Sequence, residues 1–139
     1  MAPAKRLSSD DSPVSRGRKR VLLIEDNNDT RLLYKMFLEH GGFIVDEAAD
    51  GVEGLARALE NPPDLVVLDI GLPGLDGFEV ARRLRQHPET AALPIIAVSA
   101  QLLLGYEELA VNAGCTEALS KPCLASDLLA AVERALAPR

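Results

Sequence analysis

Five polar residues whose side chains could take part in chemistry each stand where a short apolar run ends. They are Glu25, Asp26, Asp69, Ser99 and Lys121. The apolar runs cover residues 21–24, 65–68, 95–98 and, more weakly, 118–120. Such runs are too short for helices and are rich in leucine and β-branched residues, which predicts buried strands. The carboxyl ends of parallel strands line one crevice, so we expect these five side chains to meet there.

The chemistry that this set suits is the binding of a divalent cation and a phosphoryl group. Three carboxylates in one place repel each other unless a cation compensates. Because the set offers oxygen ligands without histidine or cysteine, it favours a hard ion such as Mg²⁺. Lys121 and Ser99 offer an ammonium and a hydroxyl to phosphoryl oxygens, and a carboxylate nucleophile would form an acyl phosphate. The alternative for Glu25 and Asp26 is a solvated turn that caps the next helix.

Apolar stripes at helical spacing alternate with the apolar runs. The first predicted helix covers residues 29–40, ends at Gly41-Gly42 and carries one apolar face made of Leu32, Leu33, Met36 and Phe37. Further elements are predicted as a strand at 43–45 and helices at 52–59, 78–86, 105–113 and from 126. Five strands that alternate with five helices predict an α/β domain, a doubly wound parallel sheet covered by helices on both faces.

Composition separates a tail from a single domain. Of the 139 residues, 47% are hydrophobic and only 4% aromatic, which predicts an aliphatic core. Residues 1–19 are rich in serine, proline and charge and lack apolar periodicity, so we predict a disordered basic tail at 1–19 and one domain at 20–139. The basic cluster at 16–20 could contact phosphates or an acidic partner, or act only as a solubilising extension.

Charge and cysteine content limit the partners and the compartment. Residues 21–139 contain nine Lys/Arg against nineteen Asp/Glu, which argues against nucleic-acid binding by the domain surface. No apolar run reaches the roughly 18 residues of a membrane span, and the N-terminus lacks the apolar stretch of a secretory signal. Cys115 and Cys123 are the only cysteines, and we interpret both as packing residues. We therefore predict a cytoplasmic protein that does not contact a membrane.

Four segments, in this order and at this spacing, resemble the receiver domains of response regulators. They are Leu23–Asn27, Val67–Gly77, Val98–Ala100 and Ser120–Pro122. The resemblance covers about residues 20–137. It implies the flavodoxin-like form of the doubly wound fold, with five parallel strands in the order 2-1-3-4-5 and five helices.

The resemblance also implies a role for each matching residue. Asp69 resembles the phosphoacceptor, and Glu25 and Asp26 resemble the acidic pocket that holds Mg²⁺ together with Asp69. The carbonyl of Gly71 matches the position that completes the metal site. Ser99 resembles the switch hydroxyl and Lys121 the lysine that pairs with the phosphoryl group, and the Lys121-Pro122 peptide bond is predicted to be cis.

One position departs from the family pattern. Receivers typically carry Tyr or Phe three residues before the lysine, and this ring swings inward when the hydroxyl residue moves, whereas this chain has Ala118. Tyr106 is a candidate substitute, but our expectation is an exposed tyrosine without a switching role. We also expect His40 and His87, beside helix-ending residues, to face solvent.

The leading functional hypothesis is a stand-alone signalling module. It would accept a phosphoryl group from a histidine kinase or a histidine phosphotransfer protein and then change a contact with an unknown downstream protein. It would not be an enzyme beyond catalysing its own phosphorylation and slow dephosphorylation. The alternatives are an interaction domain that acts without phosphorylation, the receiver part of a hybrid kinase, and a phosphatase or phosphotransferase with an aspartyl nucleophile. The last class typically has a second Asp two residues after the first, where this chain has Gly71.

Overall fold

The structure is a computed structural model and describes residues 17–72, 74–100 and 105–137. Strands and helices alternate through these residues. The strands are β1 (Arg20–Ile24), β2 (Ile44–Ala48), β3 (Leu65–Asp69), β4 (Ile95–Ser99) and β5 (Glu117–Ser120). The helices are α1 (Asn28–His40), α2 (Gly51–Glu60), α3 (Gly77–Gln86), α4 (Tyr106–Ala113) and α5 (Ala125–Leu136). Residues 1–16, most of the predicted tail, lie outside the described residues.

The five strands form one parallel sheet in the order β2-β1-β3-β4-β5, which confirms the predicted fold class. The register pairs Asp69 with Val98 and Ser99 with Ser120, so β3, β4 and β5 end at nearly the same level. This edge of the sheet brings together the polar residues that follow the strands.

The core consists of two apolar layers, one on each face of the sheet. Alternate residues of each central strand enter opposite layers, as Leu22 and Leu23 of β1 do. Helices α2, α3 and α4 cover one layer, and α1 and α5 cover the other. Because both faces are covered, the central strands β3 and β4 are apolar up to their last residue, and each fully buried leucine or valine contributes about 1.5–3 kcal/mol.

Side-chain caps explain where the first three helices begin. The side-chain oxygens of Asn27, Asp50 and Asp76 accept hydrogen bonds from the backbone three residues later, at the starts of α1, α2 and α3. Helix α3 starts so close to the end of β3 that a Cβ atom on Gly77 would lie 2.6 Å from the Ile70 Cα. This close approach places the start of α3 directly against the end of β3, on which Asp69 lies.

One expectation about side-chain burial is wrong and another is confirmed. The apolar α1 face is exposed, and the helix packs on the core through Tyr34 and Leu38. Tyr106, expected to be exposed, is buried with 4% of its surface accessible. His40 and His87 are exposed, as expected. No helix in the described parts of the chain is long and apolar enough to cross a membrane.

Candidate functional site

The five predicted residues come together at the carboxyl edge of the sheet. Glu25 and Asp26 directly follow β1, Asp69 and Ser99 end β3 and β4, and Lys121 directly follows β5. The backbone continues the sheet beyond the strands, because the Lys121 amide donates to the Ser99 carbonyl at 2.7 Å. The Glu25 amide likewise donates to the Ala48 carbonyl at 3.0 Å. Sheet geometry therefore fixes the backbone positions of the site.

Three carboxylates form a tight cluster at this edge. One oxygen each from Glu25, Asp26 and Asp69 lies within 4.8 Å of the other two. Glu25 and Asp69 are buried, with 2% and 7% of their surfaces accessible, whereas Asp26 is exposed. Backbone amides orient the two buried groups, since Asn27 donates to Glu25 Oε2 at 3.0 Å and Gly71 to Asp69 Oδ1 at 2.9 Å.

Lys121 bridges the two buried carboxylates. Its Nζ lies 2.9 Å from Glu25 Oε1 and 3.4 Å from Asp69 Oδ2. Burial lowers the pKa of Lys121, but the hydrogen bond to Glu25 and the charges of Asp69 and Glu25 outweigh it and raise the pKa, so the ammonium stays charged at neutral pH. Burial raises the pKa of Glu25, and the charge of Asp69 adds to this rise while Lys121 opposes it.

The cluster has the donor set of a site for a hard divalent cation. All three groups are carboxylates, and one ammonium cannot neutralise three negative charges. A cation at the exposed side, near Asp26, would remove the remaining repulsion. Oxygen ligands and room for water at an exposed edge suit Mg²⁺, which keeps part of its hydration shell.

Ser99 completes the constellation from β4. It is buried, with 1% of its surface accessible, and its backbone is joined to Lys121 by the hydrogen bond described above. The cis Lys121-Pro122 peptide bond, predicted from the resemblance, is present.

Helix α1 supplies two supporting contacts that sequence reasoning missed. Arg31 Nη1 donates to the Glu25 carbonyl at 2.7 Å, and its Nε pairs with Glu47 of β2 at 3.2 Å. The Tyr34 hydroxyl donates to the Cys123 carbonyl at 3.3 Å, two residues beyond Lys121. Arg31 and Tyr34 are three residues apart and so share a helix face. This shared face is the one feature of the sequence that could have pointed to their contacts with the site.

A scan against protein families matches residues 21–133 to the response regulator receiver domain. The chain belongs to the response regulator receiver family. This confirms the resemblance drawn from the four sequence segments, and the match includes all five site residues.

Two curated relatives show in what kinds of protein such receivers occur. The chain is 37% identical to the DNA-binding dual master transcriptional regulator RpaA of Synechocystis over 117 residues, which make up 84% of this chain and 48% of RpaA. The chain thus spans about half the length of RpaA. It is 36% identical to the polar-differentiation response regulator DivK of Brucella anthropi over 104 residues, 75% of this chain and 85% of DivK.

Among solved structures, the receiver domain of the sensor histidine kinase PA1611 from Pseudomonas aeruginosa is similar to this receiver. The TM-score is 0.78 with 30% sequence identity, and the alignment covers 85% of this chain and 97% of that one. That structure has a magnesium ion coordinated in its active site cleft.

Proposed function

We propose that this receiver accepts a phosphoryl group on Asp69 from a phosphohistidine donor and then changes a protein–protein contact. The observation that carries the proposal is the environment of the Asp69 carboxylate. Oδ1 is fixed by the Gly71 amide, and Oδ2 lies 3.4 Å from the Lys121 ammonium. A carboxylate oxygen of Asp69 would attack phosphorus while the bond from phosphorus to the donor's imidazole nitrogen breaks, which leaves an acyl phosphate and a neutral imidazole once that nitrogen is protonated.

The other residues of the site would stabilise the transferred group. Lys121 already lies between Glu25 and Asp69, so its ammonium can move toward a new phosphoryl oxygen without crossing the site. Ser99 ends the neighbouring strand and can donate its hydroxyl to another oxygen. Such transfer depends on positioning and charge neutralisation more than on covalent machinery, so we propose self-catalysed phosphorylation and slow dephosphorylation rather than an enzyme that acts on other substrates.

Mg²⁺ is the cofactor that we propose. When bound by Asp26, Asp69 and the Gly71 carbonyl, with Glu25 acting through water, it would supply positive charge for the phosphoryl oxygens. The three-carboxylate cluster supports this proposal, and so does the magnesium ion in the similar PA1611 receiver.

The proposed donor is a histidine kinase or a histidine phosphotransfer protein in the cytoplasm. Support comes from helix α1, which begins two residues after Asp26 and exposes an apolar face beside the site. The exposed fractions are 56% for Leu32, 48% for Leu33, 57% for Met36 and 40% for Phe37. Met36→Glu should slow transfer from a phosphorylated histidine phosphotransfer protein that labels the wild type, yet leave uptake from acetyl phosphate unchanged. Val52→Glu, at an exposed valine of α2, is the matched control, and equal slowing by both variants would contradict a docking role for α1.

Intact-mass analysis after incubation with acetyl phosphate and Mg²⁺ tests the acceptor. The wild type should gain one phosphate and Asp69→Asn none, because the amide keeps the shape of the side chain but is not a nucleophile. Asp76→Asn, which alters the exposed cap of α3, is the control and should behave as the wild type. If the wild type gains no phosphate, the alternative of an interaction domain that acts without phosphorylation is favoured.

A further inference from the structure

Tyr106 is a buried phenol that joins two elements near the site. It is the first residue of α4, and its hydroxyl donates to the Leu119 carbonyl of β5 at 3.2 Å. Leu119 lies two residues before Lys121. The phenol therefore connects the start of α4 to the strand that positions the site lysine.

The Tyr106 ring lies over the part of the sheet where β5 carries a small side chain. Strand β5 lies at one edge of the sheet, and Ala118, on the side of the sheet that α4 covers, is only partly buried. Tyr106 belongs to the same apolar layer as Ala118 and comes from a helix rather than from the strand. An aromatic ring thus packs on this part of the sheet although the strand itself carries only a methyl group there.

Resting on the phosphorylation of Asp69 proposed above, we infer that Tyr106 is the residue that couples the site to helix α4. A phosphoryl group at Asp69 would draw both Lys121 and Ser99 toward its oxygens. Their backbones are hydrogen-bonded to each other at 2.7 Å, so the ends of β4 and β5 would move together. The Leu119 carbonyl would move with them relative to the Tyr106 hydroxyl.

This hydrogen bond is suited to breaking. Hydroxyl hydrogen bonds to oxygen usually measure 2.5–3.0 Å, so the bond at 3.2 Å is already long, and a small further shift would weaken it steeply. A buried hydroxyl without a partner costs about 1–3 kcal/mol, so the phenol must then find another partner or water. Because Tyr106 is the first residue of α4, its movement displaces the start of that helix.

Helix α4 lacks the side-chain cap that begins each of the first three helices, so its start depends more on the Tyr106–Leu119 hydrogen bond. Its cap is Gly105 at φ 84°, which gives no side-chain hydrogen bond, whereas α1, α2 and α3 each have one. Burial raises the pKa of the Tyr106 phenol, so the hydroxyl stays a donor at neutral pH.

Fluorine NMR tests the inference directly, because the chain contains only two tyrosines. Protein labelled with 3-fluorotyrosine should give two resonances, assigned with the variants Tyr34→Phe and Tyr106→Phe. Acetyl phosphate with Mg²⁺ should shift the Tyr106 resonance more than the Tyr34 resonance. Mg²⁺ alone should not produce that shift, and neither should acetyl phosphate with Mg²⁺ in Asp69→Asn.

A second measurement separates coupling from simple packing. Tyr106→Phe keeps the ring and removes the hydroxyl, so the fold and phosphate uptake should be retained while the change of amide exchange in α4 on phosphorylation is lost. An unmoved Tyr106 resonance in protein that carries one phosphate by mass would overturn the inference alone, and so would a full α4 response in Tyr106→Phe. Absence of phosphate from the wild type would overturn it together with the proposed function.

Discussion

The carboxylate cluster predicts that a conservative change in the site makes the domain more stable. Asp26→Asn removes one negative charge from a group of three, and Lys121 pairs with Glu25 and Asp69, so the change leaves that lysine its partners. Two unit charges at 4.8 Å repel by about 0.9 kcal/mol in the dielectric of water and about 3.5 kcal/mol at an effective dielectric constant of 20. Because Asp26 is exposed and its two neighbours are buried, we expect the free energy of unfolding to rise by about 1–3 kcal/mol.

Urea denaturation in EDTA and in Mg²⁺ measures this effect. In EDTA the variant should be the more stable protein. In Mg²⁺ the wild type should gain stability through binding, about 2.7 kcal/mol at a concentration 100 times the dissociation constant, while Asp26→Asn gains much less. The difference between the two proteins should therefore shrink or reverse.

The control is Asp76→Asn, because this exposed acid lies outside the cluster and asparagine caps a helix about as well as aspartate. It should change the unfolding free energy by no more than about 0.5 kcal/mol in either solution. An Asp26→Asn variant that is less stable than the wild type in EDTA would refute the reasoning, since it would mean that Asp26 stabilises the metal-free fold.

Other predictions concern the tail, the tyrosine and the spread of the signal. Deleting residues 1–18 should leave thermal unfolding and phosphate uptake unchanged, because the tail has no apolar face, and a loss of either would show that it packs on the domain. Since the pKa of Tyr106 is raised in the fold, its contribution to stability is complete below the unfolded value of about 10 and is lost as the pH rises through the folded value. Tyr106→Phe should therefore lose less stability between pH 9 and 11 in urea titrations, and an equal loss would contradict this. Hydrogen exchange after phosphorylation should change at 71–78 and 105–113, whereas changes centred on α5 would contradict the coupling.

The strand ends could be predicted because they depend on local sequence. A polar residue directly after an apolar run, as at Glu25 or Ser99, marks where the apolar part of a strand ends, and parallel topology then brings such residues together. The same reasoning gives no distances. That Lys121 lies closer to Glu25 than to Asp69 depends on side-chain packing across three strands.

Side-chain burial on α1 and α4 could not be read from periodicity. The stripe that contains Met36 has helical spacing, but spacing only groups residues on one face and does not say which face meets the sheet. Here Tyr34 and Leu38 fill that face. Tyr106 is buried through contacts distant in sequence, since it belongs to the apolar layer that Ala118 of β5 packs against and its hydroxyl donates to the Leu119 carbonyl.

The two tyrosines contact the backbone around Lys121 from opposite faces of the sheet. Tyr34 comes from α1 on one face of the sheet and Tyr106 from α4 on the other. Their hydroxyls donate to the carbonyls of Cys123 and Leu119, each two residues from Lys121. The backbone that carries the lysine is therefore held from both sides. Of the two carbonyls, that of Leu119 belongs to β5, whose end is hydrogen-bonded to β4 through Lys121 and Ser99, whereas that of Cys123 lies beyond the strand. A pull on the Lys121 ammonium should therefore act on the Tyr106 hydrogen bond more than on that of Tyr34.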